Sequence, residues 1–277
     1  MRIALIQMPV GFDKTKNISY AVDKIKNAVN DSAGLGVVLD MAVLPEMFCC
    51  PYSNRYFREF GEEHGGEAQS ALSALSRELG IYIVGGSIPE LCENKVFNTS
   101  FVYDDKGREI ARHRKVHLFD IDIKNGQKFR ESETLCAGDK ITTFETPFGI
   151  IGLCICFDFR FEEMARIMAQ RGASAIVVPG AFNMTTGPAH WELMFRQRAV
   201  DNQLFTLGIA PARDESGLYV SYGNSIAVSP WGGIIARCGG EEATLVVDLD
   251  FSLNESIREQ LPILRSRRTD LYKLSEL

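Results

Sequence analysis

The segment Gly152–Glu163, GLCICFDFRFEE, puts a thiol where an apolar run stops and a charged, helix-forming stretch starts. A thiol there meets the unpaired N–H groups and positive end of the following helix, which favour the thiolate, the form that attacks carbon. Cys156 holds that position, and the chemistry expected of it is nucleophilic attack. Cys154, two residues earlier, shares the same strand face. Both would also serve as small, buried core residues, but only Cys156 stands at the end of the run. A cysteine nucleophile further needs a base and a charge to stabilise an oxyanion. Histidine is the usual base, and His190 in TGPAHWE is one candidate. Glu46, after Pro45 at the end of an apolar strand, and Lys115, at the end of a hairpin strand, are better placed, because a charge there is costly without a partner or a task. Taken singly, each has an ordinary reading as a solvated residue or half of a salt bridge.

The cysteines at 49, 50, 92, 136, 154, 156 and 238 are odd in number, which points to free thiols in a reducing compartment. Cys154 and Cys156 lack zinc-ribbon spacing, and the histidines at 64, 113, 117 and 190 are scattered, so no metal is expected. With 277 residues, 45% hydrophobic and 24% charged, the chain can bury most of its surface as one domain, 1–277. A net charge of -6, with RSRR at 265–268 as the one short basic cluster, argues against nucleic acid or an anionic membrane as partner. No apolar run approaches the roughly 18 residues of a membrane span, and the N-terminus does not read as a signal peptide, so a cytoplasmic location is expected.

The elements that would position these residues alternate. Strands are expected over 3–8, 41–48, 81–88, 174–180, 205–212 and 243–250, with a strand pair over 142–157. Helices are expected over 19–32, 68–80, 161–172 and 188–203, the second and third stopped by glycine. Hairpins are expected over 98–115 and 224–239. Gly107–Arg112 (GREIAR) matches Gly232–Arg237 (GGIIAR), each after an apolar strand and a turn. With the βαβα order of both halves, this gives an α/β fold: a four-layer αββα sandwich of two pseudo-symmetric halves.

LPEMF (44–48), RKVHLFD (114–120) and CFDFRFEE (156–163) resemble, in order and spacing, the three signatures of the nitrilase superfamily of carbon–nitrogen hydrolases. GAFNMTTGPAHWELMFRQRAVDNQ (180–203) and APARDE (210–215) are similar to the branch containing the ω-amidases, the Nit2-like proteins. The resemblance implies that Glu46 is the general base, that Lys115 stabilises the oxyanion beside Cys156, and that the Phe157 N–H is a second oxyanion donor. It puts the family's second glutamate on Glu131, which orients Lys115, with Glu133 as the other alignment. The family often has tyrosine where this chain has Phe157, a change that loses a hydroxyl and keeps the backbone donor. The implied substrates are small amides, short α-keto dicarboxylic acid monoamides such as α-ketoglutaramate and α-ketosuccinamate. Arg160 would clamp the far carboxylate, with Tyr52, Phe182 and Thr186 lining the pocket; a structural ion pair is the other reading of Arg160. Arg198 and Asp201 read as structural. No cofactor is implied, and a homodimer is. Three other functions stay open: another amidase of the superfamily, acting on deaminated glutathione or an N-carbamoyl amine; a non-catalytic binding protein on the same scaffold; and a papain-like Cys156–His190 enzyme.

Overall fold

The computed structural model describes residues 1–124, 127–217 and 219–277. The first half contains β1 (Arg2–Gln7), α1 (Lys14–Gly34), β2 (Met41–Val43), the single-turn α2 (Asn54–Phe57), α3 (Glu67–Leu79), β3 (Tyr82–Val84), β4 (Ile88–Cys92), β5 (Lys95–Tyr103) and β6 (Glu109–Arg114). A small ribbon, β7 (Asp120–Asp122) and β8 (Lys128–Arg130), precedes the second half. That half contains β9 (Thr142–Thr146), β10 (Gly149–Leu153), α4 (Glu162–Gln170), β11 (Ala173–Pro179), α5 (Gly187–Asn202), β12 (Phe205–Ile209), β13 (Ile226–Val228) and β14 (Ile234–Arg237). Strand β15 (Ala243–Asp248) and α6 (Ser252–Gln260) follow.

Both halves are built around a β-α-β-α-β unit with parallel strands. In one, β1, β2 and β3 are neighbours; in the other, β10, β11 and β12. Each sheet is extended by antiparallel strands that include the hairpins β5–β6 and β13–β14, and the matching glycines Gly107 and Gly232 both take positive φ in the hairpin turns. Side-chain alternation explains the layering. Ile3 and Leu5 of β1 point into one buried cluster with Leu153, Val177 and Leu207 of the second sheet, while Ala4 and Ile6 point away, into a cluster with Ile18, Ile25 and Leu72 of α1 and α3. On the far side, Ile176 and Val178 of β11 meet Trp191, Phe195 and Met168 of α4 and α5. Strands covered on both faces have no polar face, which is why they read as continuous apolar runs. The order helix, sheet, sheet, helix is the expected sandwich.

Three details differ from the sequence reading. The run 81–88 is divided at Gly85–Gly86 into β3 and β4, and β4 makes a hairpin with β5. The strand expected over 41–48 stops at Val43, leaving Pro45, Glu46 and Met47 in a turn. Strand β15 leaves its own half and pairs antiparallel with β1, from Arg2↔Asp248 to Gln7↔Ala243, so the end of the chain closes the edge of the first sheet.

Candidate active site

Glu46 follows β2, Cys156 follows β10 and Ala181 follows β11, all beyond the carboxyl ends of parallel strands, where open α/β sheets gather their sites. The turn carrying Glu46 is tightly held. Ser87 donates its backbone N–H to Pro45 O (3.2 Å) and accepts the Met47 N–H on its Oγ (3.0 Å), while Met47 takes φ 53°. Gly86 lies against this turn at φ +53°, and a Cβ there would stand 2.1 Å from Pro45 O, so only glycine fits. The Glu46 carboxylate is fully buried. Its Oε1 accepts from Asn98 Nδ2 (2.8 Å) and Lys115 Nζ (2.9 Å), and its Oε2 from Ala181 N (2.7 Å).

Lys115 stands one residue past β6 and is also completely buried. Its ammonium bridges Glu46 Oε1 and Glu131 Oε1, each at 2.9 Å. Burial alone would lower its pKa, but Glu131 and Glu46 outweigh that and raise it, so it stays cationic. Glu131 opens a single 3₁₀ turn and accepts in addition from Tyr52 OH (2.5 Å) and Phe119 N (2.6 Å). Its own pKa is raised, chiefly by burial and with Glu46 adding to the effect, while Lys115 opposes. Glu133 is exposed and, among the described residues, its side chain reaches only Asn54 Nδ2, at 3.4 Å. Of the two alignments, the one that faces Lys115 is Glu131.

Cys156 lies at φ 48° as the first residue of the 3₁₀ turn Cys156–Arg160. A non-glycine residue at positive φ on a sharp strand-to-helix turn is strained, and nucleophiles recur in such positions. The expected helix effect is not the activating element: α4 starts six residues later, at Glu162. The thiol's pKa is raised well above its ordinary value, first by burial and then by Glu46, with Lys115 pulling the other way. Burial and Glu46 thus favour the neutral thiol, and Lys115 favours the thiolate. Phe157 N–H is in the first turn, where a helix supplies no acceptor.

Asp158, which the sequence reading passed over, fastens the two loops together. Its Oδ1 accepts from Val116 N (3.1 Å), His117 N (2.8 Å) and His117 Nδ1 (3.0 Å). Its Oδ2 accepts from Ile155 N (3.1 Å) and His113 Nε2 (2.9 Å). The residues after Lys115 and the residue before Cys156 thus hang on one buried carboxylate. Burial works against its charge, but hydrogen bonds from His113 and His117 prevail and hold its pKa well below the usual range. The available signal was an acid two residues after the cysteine, inside an apolar segment. Asn98 and Tyr219 were also unforeseen; Tyr219 OH donates to Ala181 O (2.5 Å) and its ring lies 4.6 Å from that of Tyr52.

The Arg160 guanidinium lies over Phe182 (4.7 Å) and Phe157 (5.6 Å). Among the described residues it forms no salt bridge, so the structural ion-pair reading has no partner to rest on. Arg198 instead donates from Nη2 to the Arg160 carbonyl (2.8 Å), and its Nη1 lies 3.9 Å from Asp201 Oδ2. His190 Nδ1 meets Arg160 Nη1 at 3.1 Å. Thr186 turns its hydroxyl to Asn183 Oδ1 (3.0 Å), within the turn that opens α5. A cavity of about 70 Å³ is lined in part by Glu46, Met47, Tyr52, Ala181, Asp214 and Tyr219.

A family model described as carbon–nitrogen hydrolase matches residues 2–259. The chain belongs to the carbon–nitrogen hydrolase family. Among curated relatives, a protein named Omega-amidase NIT2 from Xenopus tropicalis is 46% identical over 275 residues, covering 99% of this chain and 98% of that one. A protein of the same name from Homo sapiens is 45% identical over 271 residues, 98% and 96% of the two chains. The crystal structure of Saccharomyces cerevisiae Nit3, a member of branch 10 of the nitrilase superfamily, superposes with a TM-score of 0.88 at 38% identity, covering 97% and 96%. A glutamate-to-glutamine mutant of the amidase from Nesterenkonia sp. AN1, showing Michael addition of acrylamide at its active-site cysteine, superposes with a TM-score of 0.77 at 26% identity, covering 98% of each chain. As a carbon–nitrogen hydrolase of the nitrilase superfamily, the chain is an amidase with the expected fold.

Proposed function

We propose that this amidase is an ω-amidase, cleaving the terminal amide of α-keto dicarboxylic acid monoamides such as α-ketoglutaramate and α-ketosuccinamate. The observation that carries the reading is Arg160, a guanidinium with no carboxylate partner among the described residues, beside a thiol flanked by Glu46 and Lys115. Relatives named Omega-amidase over nearly the whole chain support it.

The geometry suggests the following sequence. Glu46 takes the Cys156 proton as sulfur attacks the amide carbonyl, so the thiolate forms only as it is consumed. The oxyanion that develops is met by Lys115 Nζ and Phe157 N–H, fixed in advance rather than recruited. Glu46 returns its proton to the departing nitrogen, releasing ammonia and leaving a thioester on Cys156. A water, deprotonated by Glu46, then attacks that thioester; the acid leaves, and Glu46 returns the proton to the departing sulfur, restoring the thiol and the carboxylate. Glu131, which accepts from Lys115, Tyr52 and Phe119, holds the ammonium in place through both halves. Arg160 binds the distant carboxylate bidentately, with Phe182 behind it; Tyr52 steadies Glu131, and Thr186 shapes the turn leading into α5.

The test compares ammonia release from α-ketoglutaramate with that from deaminated glutathione and an N-carbamoyl amine. The reading expects the highest kcat/KM on the first, and preference for either of the others would replace it with a sister activity. We further propose a cytoplasmic homodimer working as one domain. No described helix is long and apolar enough to cross a membrane. Exposed Leu193, Val200 and Trp231 around one groove support self-association, to be checked by sedimentation.

A further inference from the structure

Arg160 presents its donors unequally. Nη1 is occupied by His190 Nδ1 (3.1 Å) and approaches Met194 Sδ (3.8 Å). Nε is buried and, like the Nε of Arg198, Arg213 and Arg258, has no partner among the described residues. A buried N–H left without an acceptor is costly and rare in a folded protein. The unfilled Nε and the adjacent Nη2 form the side edge of the guanidinium, which matches the two oxygens of a carboxylate. The backbone of Arg160 is fixed independently through its carbonyl, and the aromatic faces of Phe182 and Phe157 limit where the fork can swing. The nitrogen partner of the guanidinium is His190, itself an exposed side chain, at Nη1.

We propose that His190 is a specificity-determining residue: by accepting from Nη1, its imidazole turns the Nε/Nη2 edge of Arg160 toward the substrate carboxylate. An arginine can only donate, so Nδ1 must be the unprotonated nitrogen and His190 the neutral tautomer with its proton on Nε2. Histidine here is a positioning residue for anion binding and not the base of a Cys–His pair. The effect falls on substrates with a carboxylate and leaves a weaker mark on neutral amides. This inference rests on the reading of Arg160 as the carboxylate clamp, and the experiment separates the two.

The experiment measures steady-state kinetics of the full-length enzyme on α-ketoglutaramate and on its methyl ester, in which the carboxylate is neutral, for wild type, Arg160→Met, His190→Leu and His190→Asn. Asparagine places Oδ1 close to where histidine holds Nδ1 and so keeps an acceptor. His190→Leu is expected to lower the acid-over-ester ratio of kcat/KM roughly tenfold, the size of one charge-assisted hydrogen bond, with KM for the acid rising more than kcat falls. His190→Asn is expected to regain most of the ratio, which loss of packing alone would not allow. If Arg160→Met collapses the ratio while His190→Leu preserves it, the role of His190 is wrong and the clamp stands. If Arg160→Met itself preserves the ratio, the clamp is wrong and the inference goes with it.

Discussion

Replacing Lys115 by methionine removes the ammonium and its N–H donors and leaves an unbranched, apolar side chain slightly shorter than the lysine. In the native site one ammonium lies 2.9 Å from each of two carboxylates, and all three side chains are excluded from water. Breaking a buried ion pair from one side costs about 3–5 kcal/mol, because the remaining charge is left uncompensated. Here two carboxylates would be left facing each other, and the folded protein would relieve the conflict by binding a proton between them. That proton fixes the sign of the pH dependence. A carboxyl whose folded pKa is raised contributes stability that is fully present below the unfolded value, near 4.3, and lost as pH rises through the folded value. The variant-minus-wild-type difference should therefore be about 3–5 kcal/mol at pH 8 and shrink on acidification by at most about 1.4 kcal/mol per pH unit. Wild type already contains one raised acid, Glu131, so the difference between the two curves is the informative quantity. Urea unfolding at pH 5 to 8, followed by fluorescence of the buried Trp191, measures it. Parallel curves, or a destabilisation below about 1 kcal/mol at pH 8, would refute the charge assignment.

Other perturbations follow from the same contacts. Glu46→Gln should lower kcat/KM by about 10²–10⁴, the usual worth of a positioned base, with little change in fold by circular dichroism. Asp158→Asn sets an N–H against donors that now point at an oxygen, and should cost about 1–3 kcal/mol for each group left unpaired. Because the pKa of Asp158 is depressed, its contribution is present above the ordinary carboxylate value and lost as pH falls through the folded one. The asparagine variant should therefore show a flatter acid limb in its stability curve. Gly86→Ala forces a Cβ onto Pro45 O and onto a left-handed backbone. It is expected to lose at least about 1 kcal/mol of stability and, through displacement of Glu46, most of its activity in the ammonia-release assay.

The layers of the fold were legible because strands covered on both faces leave apolar runs, and helices between them leave a 3.6-residue pattern. What that pattern cannot carry is pairing at a distance. The return of β15 to β1 joins residues about a whole chain apart, and nothing local in ATLVVDLD chooses one sheet over the other. The division of 81–88 was hidden for a related reason: Gly85 and Gly86 read as part of an apolar run, although Gly86 is needed for its close approach to Pro45. In the site, Glu46 and Cys156 stand out as polar residues ending apolar runs and Lys115 as the end of a hairpin strand, but what joined the three was the resemblance of LPEMF, RKVHLFD and CFDFRFEE to the signatures of the nitrilase superfamily. Their convergence with Glu131 is a property of the fold, and the exposed Glu133 lay close enough in sequence to compete. Asp158 and His113 satisfy each other in the interior, and in sequence such a pair resembles two ordinary surface residues. The reading of Cys156 as a helix-activated thiol misjudged its surroundings: the charge that opposes its raised pKa is a buried lysine, and α4 begins too far along to help.

The account as a whole requires that Cys156 carries the acyl group during turnover. Rapid quenching of the enzyme in acid, milliseconds after mixing with excess α-ketoglutaramate, followed by mass spectrometry of the Cys156 peptide, reads this directly. The predicted result is a peptide heavier by the substrate less ammonia, absent from Cys156→Ala and decaying as free acid appears. An active enzyme whose Cys156 peptide stays unmodified at every time point would contradict it.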